Sequence, residues 1–418
     1  MVLGIDGVPY ELLNRFAAKA VMPNAARLIK RYGIKQMEVP LPEISAVSWT
    51  SFMTGKNPGE HGIYGFMELN PGNYEYIFPS FRALPVKTIW EEIAIKGKRS
   101  VIINLPNTYP VRPINGTLIS GFVAPDLEKA VYPASFYPQL KAMHYQTDVD
   151  ALLGKNDKTL FLKELVDSLD KLYRVYKKLA DPTQWDLFFF IITGTDRLNH
   201  FLFHVLDDPA SPYFKACLDY YRQVDCVLGE IVAAMEARGI PFILLSDHGF
   251  VKIKQEVYLW QYLKEWGYLQ LGPESPASLK WITSPSRIFA LDPSRLYIHM
   301  QGKYARGTVK SEDYHRLREE IAEKFSGLEI DGVPVIKKVF FKEDIYHGQY
   351  LQNAPDLVLL SHHGFDLKSG VTREQLFGQT HFTGMHSQNN ALLIDAHGFT
   401  LPDTPDIVTL GQQVRQYF

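Results

Sequence analysis

Three aspartates and several histidines stand where short apolar runs end. Asp6 follows "VLGI" and is itself followed by Gly7. Asp196 follows "FFFIITGT", and His200 comes four residues later in "DRLNH". The adjacent Asp247 and His248 follow "FILLS" with Gly249 behind them, and His381 and His386 lie in "THFTGMHSQNNALLI", just ahead of another apolar run. Carboxylates and imidazoles are rarely left buried without partners. Taken singly, each has a plain structural reading. An aspartate after a strand forms a turn or caps a helix, a pair four apart on a helix shares one face whatever it binds, and one histidine is a packed histidine. Gly249 permits a sharp turn that lets Asp247 and His248 reach the same place. Together they are a donor set of neutral imidazole and carboxylate, which suits zinc, manganese or iron. Calcium and magnesium sites are richer in oxygen.

Something must bring these residues to one edge. The apolar runs "VLGID", "SVIINLP", "LISGF", "WDLFFFIIT", "PFILLSD", "DLVLLS" and "NALLIDA" alternate with segments of helical period such as "PYELLNRFAAKAVMPNAARLIKRYG" and "TLFLKELVDSLDKLYRVYKKLA". That alternation predicts an α/β fold, a mostly parallel central sheet with helices on both faces. In such sheets function gathers at the carboxyl ends of the strands, where the Asp and His residues fall. The pattern breaks over 273–339, which holds strand-like pieces "SRIFAL" and "RLYIHM" and the amphipathic "SEDYHRLREEIAEKF". We expect an inserted subdomain there, a core made of 1–272 and 340–418, and a helical insertion at 125–185 within that core.

With 418 residues and a formal net charge of −2, the chain has room for a large core and no charge excess that would favour a nucleic-acid polymer or an anionic membrane. The longest apolar run, "LFFFII", is too short to span a bilayer and reads as a strand buried on both faces. The opening "MVLGIDG" has no basic or long apolar leader, so a cytoplasmic protein is expected. Cys217 and Cys226 fall on one helical segment, about 13 Å apart along its axis. They cannot be bridged and are expected to be small buried hydrophobes.

The order of the motifs "GIDG", "PEISAVSWTSFMTGKNPGEHGIYGF", "TGTDRLNH", "LLSDHGF" and "GMHSQNNALLI" resembles the alkaline phosphatase superfamily, and within it the type I phosphodiesterase/nucleotide pyrophosphatase family. The resemblance spans nearly the whole chain. It implies two divalent metal ions, zinc first and manganese as the alternative. Asp6, Asp247, His248 and the nucleophile oxygen would hold one ion; Asp196, His200 and His386 would hold the other. Counting back nine residues from Thr54 of the "TG" step makes Ser45 the implied nucleophile, with Ser48, Thr50 and Ser51 as competitors that could simply cap or back-bond a helix. A helix starting just after Ser45 would aim its N–H groups at a phosphoryl group.

In one place the chain departs from the family. Nucleotide pyrophosphatases carry an Asn just after "HGI", where this chain reads Tyr64-Gly65-Phe66. Lys56, Asn107 and Arg197 are the substitutes to consider for binding substrate; His61 is expected to pack or hydrogen-bond its own loop. The expected activity is phosphodiester or pyrophosphate hydrolysis through a phospho-Ser45 intermediate on a small phosphate ester, such as a nucleotide. The alternatives are a phosphomutase of the cofactor-independent phosphoglycerate mutase type and a phosphomonoesterase.

Overall fold

The apolar runs become strands in a computed structural model that describes residues 1–274 and 277–418. By internal contacts the chain divides into two units. The first is 1–56, 80–252 and 381–418; the second is 57–79 and 253–380. The 273–339 stretch falls in the second unit, with Ser275 and Pro276 outside the described residues, and the 125–185 stretch falls in the first.

The strands of the first unit are Val2–Ile5 (β1), Lys35–Met37 (β2), Ser100–Leu105 (β3), Gly116–Ser120 (β4), Val131–Tyr132 (β5), Leu187–Ile192 (β6), Ile243–Leu245 (β7), Gly249–Lys252 (β8), Gly384–Ser387 (β9) and Ala391–Asp395 (β10). Among the described residues, eight of them make one sheet in the order β2-β10-β7-β1-β6-β3-β4-β5. The five strands β7, β1, β6, β3 and β4 are mutually parallel, and antiparallel pairings close both edges. β8 and β9 form a separate antiparallel pair.

The helices used below are Tyr10–Ala18 (α1), Pro23–Tyr32 (α2), Ser45–Thr54 (α3), Ile89–Ala94 (α4), Lys158–Leu179 (α5), Gly194–Leu202 (α6), Phe214–Glu236 (α7) and Ile407–Gln416 (α8). All six residues of β6 are buried, because both faces of the sheet are covered. Side chains alternate along a strand, so Phe188 and Phe190 meet Tyr176 of α5 at ring-centroid distances of 5.6 and 5.4 Å. Phe189 points the other way, onto Phe52 of α3 at 5.7 Å and Trp90 of α4 at 5.8 Å.

Three local expectations change. The single helical pattern after β1 is two helices, α1 and α2: Ala20 has a left-handed φ of 52°, and Pro23, which has no N–H to continue a helix, opens α2 instead. Cys217 and Cys226 are free thiols on α7 as expected, but Cys226 is exposed, since it lies off the buried stripe of that helix. "DLVLLS" joins a different sheet. Leu357–Ser361 pairs antiparallel with Arg295–Ile298 and Ile336–Phe341 in the second unit. There the pieces "SRIFAL" and "RLYIHM" supply a hairpin, Ile288–Leu291 with Arg295–Ile298. The helix Tyr314–Ser326 buries Leu317, Ile321 and Phe325. Among the described residues no helix is long and apolar enough to cross a membrane.

Candidate active site

The carboxyl ends of β1, β6 and β7 deliver the aspartates. Asp6 comes directly off β1, its N–H bonded to the Ile192 carbonyl at the end of β6 at 2.9 Å. Gly7 then turns with φ of +65°, and a Cβ there would strike the Phe250 ring at 2.7 Å, so glycine is needed both for conformation and for space. Its N–H donates to Asp247 Oδ1 at 3.0 Å, tying the ends of β1 and β7 together. Asp196 and His200 ride on α6, one turn apart, after β6. His248 immediately precedes β8, whose Phe250 pairs with His386 of β9 in the antiparallel ladder. Gly249 serves by close approach, since a Cβ would lie 2.6 Å from both Asn390 and Ser387.

Ser45 opens α3, a helix whose ten residues are all buried. Its hydroxyl donates to Asp6 Oδ1 at 3.2 Å and lies 3.1 Å from His248 Nε2. One turn on, the Trp49 indole N–H donates to the other Asp6 oxygen at 2.8 Å. The competing Thr50 back-bonds to the Ala46 carbonyl, the ordinary use of a threonine inside a helix.

The distances among the donors explain what they are for. His248 Nε2 is 3.4 Å from Asp247 Oδ2, 3.7 Å from Asp6 Oδ1 and 3.9 Å from Asp196 Oδ1. His200 and His386 each place Nε2 3.4 Å from Asp196 Oδ1, and 3.1 Å from one another. The Nδ1 atoms of His386 and His248 face the carbonyls of Glu43 at 2.8 Å and Gly249 at 3.1 Å. A carbonyl only accepts, so those Nδ1 atoms carry the proton and the Nε2 lone pairs point into the cluster. Among the described residues, Asp196 Oδ1 and Asp247 Oδ2 are buried without a hydrogen-bond donor. Lone pairs facing lone pairs repel unless a cation lies among them, so this donor set fits divalent ions. Among the described residues, two groups have ligand atoms within 4.8 Å of one another, Asp6/Asp247/His248 and Asp196/His248/His386, and they share His248.

Protonation follows the same electrostatics. Burial, reinforced by the charges of Asp247 and Asp196, pushes Asp6 well above the carboxylate range. Burial lifts Asp247 from 3.8 to about 7 against the Gly7 hydrogen bond, and Asp196 adds to the lift. Asp196 is buried too, yet the imidazoles of His200 and His386 and the Arg197 guanidinium outweigh that and hold it well below the ordinary value. Burial, then the neighbouring His248, lowers His386 to about 3.

The remaining expected residues separate. The Lys56 backbone lies past the far end of α3, which runs roughly 14 Å from Ser45 to Thr54 at 1.5 Å per residue. Asn107, at φ +60°, donates to Thr50 Oγ1 at 2.7 Å on the flank of α3. Arg197 donates to Asp148 and Asp196. His61, in the second unit, is fully buried and accepts from the Ile63 N–H at 3.1 Å, within its own loop. Four supporting residues were missed. Trp49 braces Asp6, and its spacing of four from Ser45 could have revealed it. Thr195 and Asn199 donate to the carbonyls of Asp6 and Gly7, and their positions on the Asp196/His200 helix were a weaker signal. Asp148 had no sequence signal at all.

Solved structures and a family profile bear on this geometry. No curated protein sequence matches the chain. Phosphonoacetate hydrolase from Sinorhizobium meliloti 1021, in complex with phosphonoformate, aligns with a TM-score of 0.67 at 15% identity, over 99% of this chain and 94% of that one. Murine ectonucleotide pyrophosphatase/phosphodiesterase 5 aligns with a TM-score of 0.56 at 14% identity, over 100% of this chain and 94% of that one. Identities this low speak to the fold, an α/β sandwich of the alkaline phosphatase type. The profile of type I phosphodiesterase/nucleotide pyrophosphatase matches residues 1–389. With nearly its whole length so matched, the chain belongs to the type I phosphodiesterase/nucleotide pyrophosphatase family.

Proposed function

We propose that the chain is a metal-dependent phosphoric ester hydrolase that cleaves phosphodiesters or pyrophosphates in preference to monoesters, with Ser45 as nucleophile. The observation that carries this reading is the buried ring of acceptors around the Ser45 hydroxyl: Asp6 at 3.2 Å, His248 at 3.1 Å, and two carboxylate oxygens with no donor. Asp6, Asp247, His248 and Ser45 Oγ would hold one ion, and Asp196, His200 and His386 the other. Divalent ions bound there, zinc or manganese, lower the pKa of a coordinated hydroxyl and neutralise charge on the phosphoryl oxygens.

The chain's own part is positioning. Ser45 is the first residue of α3, so the unpaired N–H groups of that turn are directed at a phosphoryl group joined to its oxygen. Oγ attacks phosphorus, forming the serine–phosphorus bond while the bond to the leaving oxygen breaks. A water then attacks the same phosphorus, returning the hydroxyl and releasing the monoester. Glu43 and Gly249 keep the imidazoles of His386 and His248 in the tautomer that offers Nε2. The substrate class is a small phosphorus ester. In its favour, the phosphonoacetate hydrolase structures hold phosphonates, and an inactive form of the murine pyrophosphatase/phosphodiesterase 5 is in complex with AMP.

Elemental analysis of the purified protein, followed by hydrolysis of bis-p-nitrophenyl phosphate against p-nitrophenyl phosphate, tests the reading. Near two equivalents of metal and faster cleavage of the diester are expected. A metal-free active protein would overturn the metal role, and equal rates would overturn the diester preference.

A further inference from the structure

We infer that Arg197 is a positioning residue, locked by Asp148 into a brace that fixes the rotation of the Asp196 carboxylate toward the imidazoles. The inference rests on the metal-dependent reading above. Asp148 stands 49 residues before Arg197, in the "YQTDVD" stretch of the 125–185 segment. It takes the guanidinium side-on: Nε donates to Oδ1 at 3.0 Å and to Oδ2 at 3.1 Å, and Nη2 donates to Oδ2 at 2.6 Å. The Phe122 ring lies against the same guanidinium, 4.4 Å from centroid to carbon. Asp148 is itself oriented, since its Oδ1 also accepts from the Val149 N–H at 2.9 Å.

The other side of the guanidinium reaches the site. Arg197 Nη1 donates to Asp196 Oδ2 at 3.3 Å, while Asp196 Oδ1 is the oxygen that faces His200, His386 and His248. The terminal torsion of an aspartate is a broad, soft one. A donor on Oδ2 is what keeps Oδ1 pointing inward. The arrangement also explains why an aspartate so remote in sequence is needed. A lone guanidinium beside a cation site would repel the cations and draw Asp196 away; paired with Asp148 it adds a hydrogen bond and almost no net charge. A direct two-pronged grip on a substrate phosphoryl group through Nε and Nη2 is blocked, because Asp148 already occupies that edge. The 125–185 segment thereby contributes to a site whose other side chains lie outside it.

The test is titration of the chelated full-length protein with cobalt(II), following heat and the visible absorption of the bound ion. Two variants are compared with the parent, Asp148→Asn, which removes the charge but keeps the shape, and Arg197→Lys, which keeps the charge but loses the fork. The parent should bind two ions. In both variants one ion should weaken about 10- to 100-fold, the range found for partners that orient metal ligands. Its spectrum should change, the second ion should be unaffected, and the melting temperature of the metal-free form should stay near the parent's. Two ions bound at parental affinity in both variants would overturn the brace. So would parallel weakening of both ions together with a fall in melting temperature, which marks a role in the fold alone. If the parent itself binds no cobalt, the metal-dependent reading fails first and the brace with it.

Discussion

The two ends of the site are built from the same residue types and behave in opposite ways. At one end Asp6 and Asp247 are completely buried, Asp6 beside two neutral donors, the Trp49 indole and the Ser45 hydroxyl, and Asp247 beside the Gly7 amide, and both carboxyls are pushed up. At the other, Asp196 is nearly as buried but sits beside the His200 and His386 imidazoles and the Arg197 guanidinium and is pushed down. Burial alone would have made the three alike. What distinguishes them is their neighbours: Asp6 and Asp247 face other carboxylates, so on the proposed reading that end needs a bound cation to stay ionised, while His200, His386 and the Arg197 guanidinium lie against Asp196. Ser45, the proposed nucleophile, stands at the needier end.

The largest effect should come from removing that nucleophile. Ser45→Ala keeps the helix start and, of the side chains proposed to hold metal, removes only one oxygen. Hydrolysis of bis-p-nitrophenyl phosphate should fall by about 10³-fold or more, as for other covalent nucleophiles, while the ion held at the Asp196 end remains. Residual activity within tenfold of the parent would assign the attack to something other than Ser45.

Asp247→Asn should separate the two ends by pH. An Asn Oδ1 still accepts from Gly7, and its amide can donate toward the His248 lone pair, 3.4 Å away in the parent. In metal-free protein the Asp247 carboxyl titrates near 7 when folded and at its ordinary 3.8 when unfolded. A raised folded value means that the stability it lends is fully present below about pH 4 and is lost as the pH climbs through 7. The Asn variant cannot ionise and keeps it. With chelator present, denaturant unfolding should therefore show the variant more stable than the parent at pH 8, with the gap narrowing at pH 5. With metal present the order should reverse, because the variant has lost a ligand. A gap independent of pH would mean that charge repulsion does not set the character of this end.

Much of the fold was readable because its strands are short and apolar and end in chemistry-bearing residues. "LFFFII" can only be a strand covered on both sides, and the Asp and His residues after β1, β6 and β7 converge because parallel strands put their carboxyl ends on one edge. What stayed hidden depends on three-dimensional neighbours. "DLVLLS" has the pattern of a buried strand, and nothing local says which sheet it joins. The break at Ala20 before Pro23 was masked by good helical periodicity on either side. Asp148 gave no sign at all, since a lone aspartate in a polar loop matches many uses and its partner lies 49 residues away.

The smallest effect sharpens the comparison most. Trp49 is wholly buried and supplies the hydrogen bond to Asp6 Oδ2. Trp49→Phe keeps most of the ring volume and removes only that donor. Leaving a buried acceptor unpaired costs about 1–3 kcal/mol, and the loss should be visible in metal-free denaturant unfolding. The Asp6 carboxylate, no longer pinned on its outer oxygen, should hold its cobalt(II) roughly tenfold more weakly. The ion at the Asp196 end should not notice, because none of its ligands is bonded to Trp49. That end takes its orientation from Arg197, Glu43 and α6. If both ions weaken together, the two ends share one framework through His248, the residue common to both donor groups, and the contrast between a cation-dependent end and a protein-braced end gives way to a single coupled centre.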